Sequence, residues 1–396
     1  MVKILTGVML FLSLSQVWAQ PRCESIFKAS PVLDYGLFKK GYRPNYDYKV
    51  LIPDQSAVKN QCGLGTCHLY SWTSLLERDY KARTHDEIKI STDYLSARHW
   101  LRKSLELLES DDIKLNLGLG EQVWMSRAAI QAYGIVPEGV WKSAKSFSSH
   151  PLSSRISDYI TNIAGRARWE RDQQGDASKK KEITRKAKLQ ITIIFENIIG
   201  GFPKTFEYEG KTYTPQQFQT AFFNELDQPI VSMIVNHHRK ESPSEYDDKS
   251  LQVVLTDLET VESTARSLLD QGLNVYLGYD HNSNYVEPLT GIMSIAAFEI
   301  PLGGGPLSRP QRDFYGLPTA GHAVQIVGYD FDPKTNQILK WKIKNSWGAT
   351  IGKEGYFHMD HDYFRAFAVS ISFFENPKIT WPEVKMKIPI QSELPF

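Results

Sequence analysis

Three residues far apart in the chain have complementary chemistry. Cys67 follows the glycine-containing loop Gln61-Cys-Gly-Leu-Gly-Thr66 and opens a stretch in which Leu69, Trp72, Leu76 and Tyr80 recur at helical spacing. The start of a helix gathers unpaired backbone N–H groups and the positive end of the helix dipole. Both favour the thiolate, the reactive form of cysteine. Far downstream, His322-Ala-Val-Gln-Ile-Val-Gly-Tyr329 and Leu339-Lys-Trp-Lys-Ile-Lys-Asn345 both read as strands, joined by the turn signal Asp332-Pro-Lys-Thr-Asn336. In the second strand Leu339, Trp341, Ile343 and Asn345 share one face, expected to point inward, while Lys340, Lys342 and Lys344 share the other. A turn centred between Pro333 and Lys334 sets His322 opposite Asn345, with about 5 Å between their Cβ atoms. The Asn345 carbonyl can then accept from one imidazole nitrogen and leave the other to take a proton from a thiol. Cys67, His322 and Asn345 thus form a candidate set for nucleophilic catalysis. An oxyanion formed there needs donors, and the Cys67 backbone N–H and the Gln61 side-chain amide can supply two.

These residues need elements to hold them. Helices are expected over Cys67–Tyr80, Ser91–Leu108 and Val123–Tyr133, the last ending before Gly134. Residues 20–50 read as an irregular arm, and 51–144 as a helical unit carrying the nucleophile. The block at 145–225 is distinct. Arg166–Lys188 is densely charged, and Ile183, Ala187, Ile191, Phe195 and Ile198 mark an amphipathic helix that Gly200-Gly201 stops. A hairpin is expected at Phe206–Tyr213 with Glu209-Gly210 at its turn. From 226 to 374 the texture is β-rich, with strands at Pro229–Val235, Leu251–Leu255, Asn274–Gly278, His322–Tyr329 and Leu339–Asn345, and a loop at Gly303-Gly-Gly-Pro306. Residues 375–396 form a C-terminal tail.

The 396 residues are 41% hydrophobic and 23% charged with a formal charge of +1. Neither nucleic acid nor an anionic membrane is expected as a partner. Residues 1–19 read as a secretory signal: Lys3, the apolar run Ile4–Leu14, then Val17-Trp-Ala19 before a cleavage point at Gln20. Later apolar stretches are broken by charge, so no stable membrane insertion is expected, and the mature protein is expected to be secreted or periplasmic. Export implies an oxidising compartment, yet there are three cysteines, Cys23, Cys62 and Cys67. If Cys67 stays free as nucleophile, Cys23 and Cys62 remain to pair, and such a disulfide would pin the arm beside the catalytic loop. His237-His238 and the pair His358 and His361 lack a matching ligand set, so no metal site is expected, nor an organic cofactor.

Gln61-Cys-Gly-Leu-Gly-Thr-Cys67, Gly321-His-Ala-Val324 and Asn345-Ser-Trp-Gly348 together resemble the three hallmark blocks of papain-like cysteine peptidases. Gln131-Ala-Tyr-Gly-Ile-Val-Pro-Glu138, Ser153-Ser-Arg155, Phe206-Glu-Tyr208, Gly291-Ile-Met293 and Trp341 through Phe357 resemble the bleomycin hydrolase and aminopeptidase branch of that superfamily. The resemblance implies an α+β, two-lobe papain-like fold: a helical lobe, a β-barrel-like lobe, and here a helical insertion at 145–225. It implies hydrolysis of peptide or protein substrates through a thioester. Gln61 becomes the oxyanion-hole residue, Cys67 the nucleophile, His322 the base and Asn345 its orienting partner. Trp347 shields the His–Asn bond from water, and Gly118 and Gly120 stand where the substrate groove is expected.

The chain departs from the family pattern in several places. The nucleophile is followed by His68 rather than Trp, Gly118 and Gly120 are split by Leu119, and Cys67 and His322 are 255 residues apart rather than about 130–150. Two other readings fit the same residues: a thiol acyltransferase of the same fold, and a degenerate homologue kept as a binding module. The choice between endo- and exopeptidase, the side-chain preference and the oligomeric state stay open at this level.

Overall fold

The computed structural model describes residues 38–375 except 111–114, 116, 144–146, 149, 236–250, 300–305, 308, 316 and 318–319. The signal segment, Cys23, Asp111-Asp112, His237-His238, Gly303 to Gly305 and the tail from 376 lie outside the described residues. Helices are α1 (Cys67–Thr84), α2 (Thr92–Leu107), α3 (Val123–Tyr133), α4 (His150–Asp172), α5 (Ala177–Ile194), α6 (Pro215–Phe222), α7 (Leu258–Asp270), α8 (Arg309–Phe314) and α9 (His361–Phe367). Strands are β1 (Val50–Leu51), β2 (Phe206–Tyr208), β3 (Lys211–Tyr213), β4 (Ile230–Val235), β5 (Leu251–Thr256), β6 (Val275–His281), β7 (Val286–Glu287), β8 (Ile292–Met293), β9 (Ala320–Phe331), β10 (Ile338–Lys344), β11 (Tyr356–Asp360) and β12 (Ala368–Phe374). Among the described residues no helix is long and apolar enough to cross a membrane.

The fold is α+β, but its β part is an open mixed sheet, not the barrel-like lobe expected. Its order is β5-β4-β12-β6-β9-β10-β11-β8-β7, with β1 also on β9. One face of the sheet joins the helical core. There Ala323, Tyr276 and Ile230 pack with Leu69, Trp72 and Ile130. The other face packs Leu277, Val324, Ile326 and Ile343 under Val261 and Leu268 of α7 and Phe364 and Phe367 of α9. Burying both faces explains why these strands read as near-continuous apolar runs.

Helix α5 continues into a π turn, Phe195–Ile199. Ala187, Ile191, Phe195 and Ile199 are buried. A spacing of four drifts around a regular helix, and the wider turn brings Ile199 rather than the expected Ile198 inward. The β2–β3 hairpin forms as expected, with Glu209 and Gly210 at φ 48° and 75°.

The β9–β10 hairpin differs from expectation in register. A turn over Asp332–Gln337, with Asn336 at φ 61°, is longer than the tight one expected. Two irregularities follow, and Lys344 ends level with Gln325. Asn345, just past the strand, therefore lies diagonally across from His322 rather than opposite it. A shift of two residues preserves the face, whereas a shift of one would reverse it.

Trp341 and Ile343 of β10 and Asn345 just past it are buried as expected, but the pattern breaks at Leu339, beside the first irregularity, and on the lysine side. Leu339 is 47% exposed, while Lys340 and Lys344 are buried. The segment leading into the helical part covers the lysine side. Lys340 Nζ donates to Asn45 O (2.5 Å) and sits over the Tyr48 ring, and Lys344 Nζ donates to Ser56 Oγ (2.8 Å). Burial lowers the Lys344 pKa to about 7, with Glu77 pulling it back up. Below that pH the lysine is charged in both states, and the native state carries the full desolvation penalty. Between about pH 7 and 10 the unfolded chain holds a proton that the native state has released, so stability rises with pH. Lys344→Met is therefore expected to be more stable than wild type at about pH 6, with the gap narrowing toward about pH 10 in urea titrations. A gap that does not change with pH would count against a buried, titrating Lys344.

Candidate active site

Helix α1 begins at Cys67 without a side-chain cap, because the Thr66 hydroxyl turns instead to Ser96 Oγ (3.1 Å). Its first N–H groups are left available for a ligand. Cys67 is half-buried. Burial pushes its thiol pKa up, and the nearby backbone N–H groups of Ala323, His68 and Cys67 itself oppose that shift. Ala323 follows His322 directly, so Cys67 and His322 sit on the two elements that meet where α1 packs on β9.

His322 is buried, and its Nε2 bonds Asn345 Oδ1 at 2.9 Å. Asn345 Oδ1 also accepts from Ser346 N–H (2.8 Å). That fixes the amide orientation, so His322 Nε2 carries the hydrogen and Nδ1 is left to take a proton. The Trp347 ring stacks on His322 with centroids 4.8 Å apart and 22° between planes. Asn345 N–H bonds Gly355 O (3.2 Å), and Gly355 sits at φ +84°, where an added Cβ would come within 2.6 Å of Val58. A glycine is required there, because neither the left-handed backbone nor the space admits a side chain.

Gln61 is buried and tied to both sides of the site. Its N–H bonds Ser346 O (2.8 Å), its Oε1 accepts from Ser346 Oγ (2.5 Å), and its Nε2 donates to Leu64 O (2.8 Å). One Nε2 hydrogen is left for an oxyanion. The loop before it is anchored by Lys59, whose Nζ reaches Glu77 of α1 (2.5 Å), Ile90 O and Thr92 Oγ1. Cys67 is the free cysteine among the described residues, and Cys62 is disulfide-bonded. The expected pairing falls on Cys23, outside those residues.

His68, the departure next to the nucleophile, has a structural account. Its Nε2 and that of His99 both bond Leu119 O at 2.9 Å, and Ser126 Oγ bonds His68 Nδ1 (2.7 Å). Burial holds both imidazoles neutral, His99 down to about 4. The pair anchors the segment Gly118-Leu-Gly120 near the start of α1. A Cβ built on Gly65 would lie 3.8 Å from the Leu119 Cβ, so the loop before α1 runs against this segment. Gly118 and Gly120 are exposed, and a Cβ built on either meets nothing within 4 Å.

Sequence reasoning missed two residues of β6. Tyr279 pairs with His322 in register, its ring 5.7 Å away, and His281 packs edge-on to Trp347 at 5.1 Å. Tyr279 OH bonds His281 Nδ1 (3.1 Å). Burial and the neighbouring His322 push His281 down to about 3. No motif marks them, and only the pairing of β6 with β9 brings them to the site. His358 and His361, weighed as ligands, instead bond Tyr48 OH (2.7 Å) and Glu262 (2.8 Å).

Burial lowers the His322 pKa to about 4, with the Asn345 bond opposing. Taken singly, the thiol and the imidazole are both neutral at physiological pH. A proton moved from one to the other would create two opposite charges whose attraction offsets the desolvation each faces alone.

Known proteins resemble this chain over most of its length. Aminopeptidase W of Lactobacillus delbrueckii subsp. lactis is 27% identical over 410 residues, covering 89% of this chain and 90% of its own. Mitochondrial cysteine proteinase 1 of Saccharomyces cerevisiae is 23% identical, covering 83% of this chain and 77% of its own. The crystal structure of pepw from Lactobacillus rhamnosis superposes with a TM-score of 0.67 at 20% identity, covering 84% of this chain and 82% of its own. That superposition shows the papain-like fold. The Peptidase C1-like family matches residues 115–377, about two thirds of the chain, a span that includes His322 and Asn345 but starts after Cys67. The chain belongs to the Peptidase C1-like family.

Proposed function

We propose that the chain is a cysteine-type peptidase that cleaves peptide bonds through a thioester, with Cys67, His322, Asn345 and Gln61 as its machinery. The observation that carries this reading is the His322–Asn345 bond beneath Trp347, set beside an uncapped helix start that presents a free cysteine. Cys67 gives its proton to His322 Nδ1, and the thiolate attacks the peptide carbonyl carbon. The oxyanion is met by the Cys67 N–H and the remaining Gln61 Nε2 hydrogen. As the intermediate collapses the C–N bond breaks, and the imidazolium protonates the leaving amine. Water, deprotonated by His322, then attacks the thioester, releases the acid and restores the thiol. Export before action is part of the proposal, supported by the charged, apolar and small-residue pattern of residues 1–19. So is the division into a nucleophile-bearing unit at 51–144, an insertion at 145–225 and a β-rich unit at 226–374. The relatives named as aminopeptidases make removal of N-terminal residues the first activity to assay. A peptide library with free and acetylated N-termini, read by mass spectrometry, separates trimming from internal cleavage.

Cys67→Ala is expected to abolish hydrolysis and covalent labelling by an epoxide while leaving the fold intact. Labelling that survives in this variant would move the reactive thiol elsewhere. Asn345→Ala is expected to slow kcat less than His322→Ala does. The lost partner is neutral, so its removal should cost less than the roughly 10⁴ seen for a buried carboxylate in a serine triad. Equal losses in two folded variants would give Asn345 a different role.

A further inference from the structure

Behind the site, three buried polar atoms have no protein partner: Asn345 Nδ2, Gln325 Oε1 and Ser74 Oγ. Their residues line a single small cavity of about 10 Å³, together with Ser71 and Lys344. A polar cavity of that size is about the minimum that holds one water, and leaving such atoms unbonded is costly. The surrounding bonds fix the two amides. Gln325 is 1% exposed, and its Nε2 donates to Ser71 O (3.0 Å), which turns Oε1 into the acceptor that is left. Asn345 Oδ1 is taken by His322 and Ser346 N–H, so Nδ2 is the donor that is left. A water between them can accept from Nδ2 and donate to Oε1, with Ser74 as a third partner. The positions are as telling as the chemistry. Ser71 lies one turn beyond Cys67 on α1, and Gln325 lies three residues beyond His322 on β9.

We propose that Gln325 is a positioning residue, whose amide fixes the helix of Cys67 against the strand of His322 and, through one water in this cavity, orients the Asn345 amide. The inference rests on the proposed catalytic roles of Cys67, His322 and Asn345. An apolar residue at this position would hold the packing but not the register between helix and strand. A small displacement of either catalytic group costs rate far more than it costs binding.

The test compares the full-length chain with Gln325→Met, which keeps length and volume, and Gln325→Glu, which keeps an acceptor but loses the donor to Ser71. Steady-state kinetics, melting temperature and the pH dependence of Cys67 alkylation by iodoacetamide are measured on all three. The expected result is a fall in kcat of roughly tenfold with KM little changed, and reduced thiolate reactivity on the acid side of the alkylation profile. Melting temperatures should stay close to wild type. If Gln325→Met does not fold, Gln325→Glu is read in its place. Wild-type kcat and alkylation profile in either folded variant would overturn the proposal. So would a lowered melting temperature with unchanged kcat below it, or failure of both variants to fold, since each assigns Gln325 a purely structural role. Wild-type hydrolysis that survives Cys67→Ala would instead overturn the catalytic assignment itself.

Discussion

The site depends on one contact, the seating of the first turns of α1 against β9. Cys67 and His322 are 255 residues apart in sequence, and nothing local brings them together. What does is burial of both surfaces. Trp72 of α1 packs against Tyr276 and Phe374, with its indole N–H bonded to Val123 O (2.9 Å), while Ala323 joins the helical core. The same contact sets the Ala323 N–H where it opposes the rise in the Cys67 pKa, and bonds the Gln325 amide to Ser71. Packing that would be unremarkable in any core is here what seats the helix of Cys67 on the strand of His322.

Burial sets the electrostatic terms as well. It pushes the thiol up and the imidazoles of His322 and His281 down, so each group alone favours its neutral form. In the proposed mechanism the proton transfer becomes favourable only as a paired event, in which backbone N–H groups at the helix start and the Asn345 carbonyl receive the two charges. A neutral His281 matters in that setting, since a second cation beside His322 would oppose formation of the imidazolium. On the other side, the His68 and His99 bonds to Leu119 fix the segment that carries Gly118 and Gly120.

Much of this was legible in the sequence because the informative residues carry local rules. The helix starting at Cys67, the extent of α3 and the Glu209-Gly210 turn follow from spacing, glycine placement and turn chemistry. The bond between His322 and Asn345 was anticipated, although by a different register. The strand pattern fixes which side a residue faces, but the turn length and two bulges fix which residue it meets, and only the side survived. The buried lysines of β10 were not legible, because the segment around Asn45 and Ser56 that covers them is remote in sequence. Tyr279, His281 and Gln325 were missed for the same reason: each gains its role from a tertiary neighbour and none belongs to a motif. The open sheet in place of a barrel-like lobe is a matter of strand closure, which strand patterns do not encode.

The central claim is that Cys67 becomes acylated during turnover. Rapid acid quench of the enzyme with a slowly hydrolysed ester or amide substrate, followed by peptide mapping by mass spectrometry, tests it directly. An acyl adduct of substrate mass is expected on the peptide bearing Cys67, formed at a rate no slower than product release and absent after His322→Ala at matched times. Product formation with no adduct at Cys67, or an adduct on another residue that forms at the catalytic rate, would contradict it.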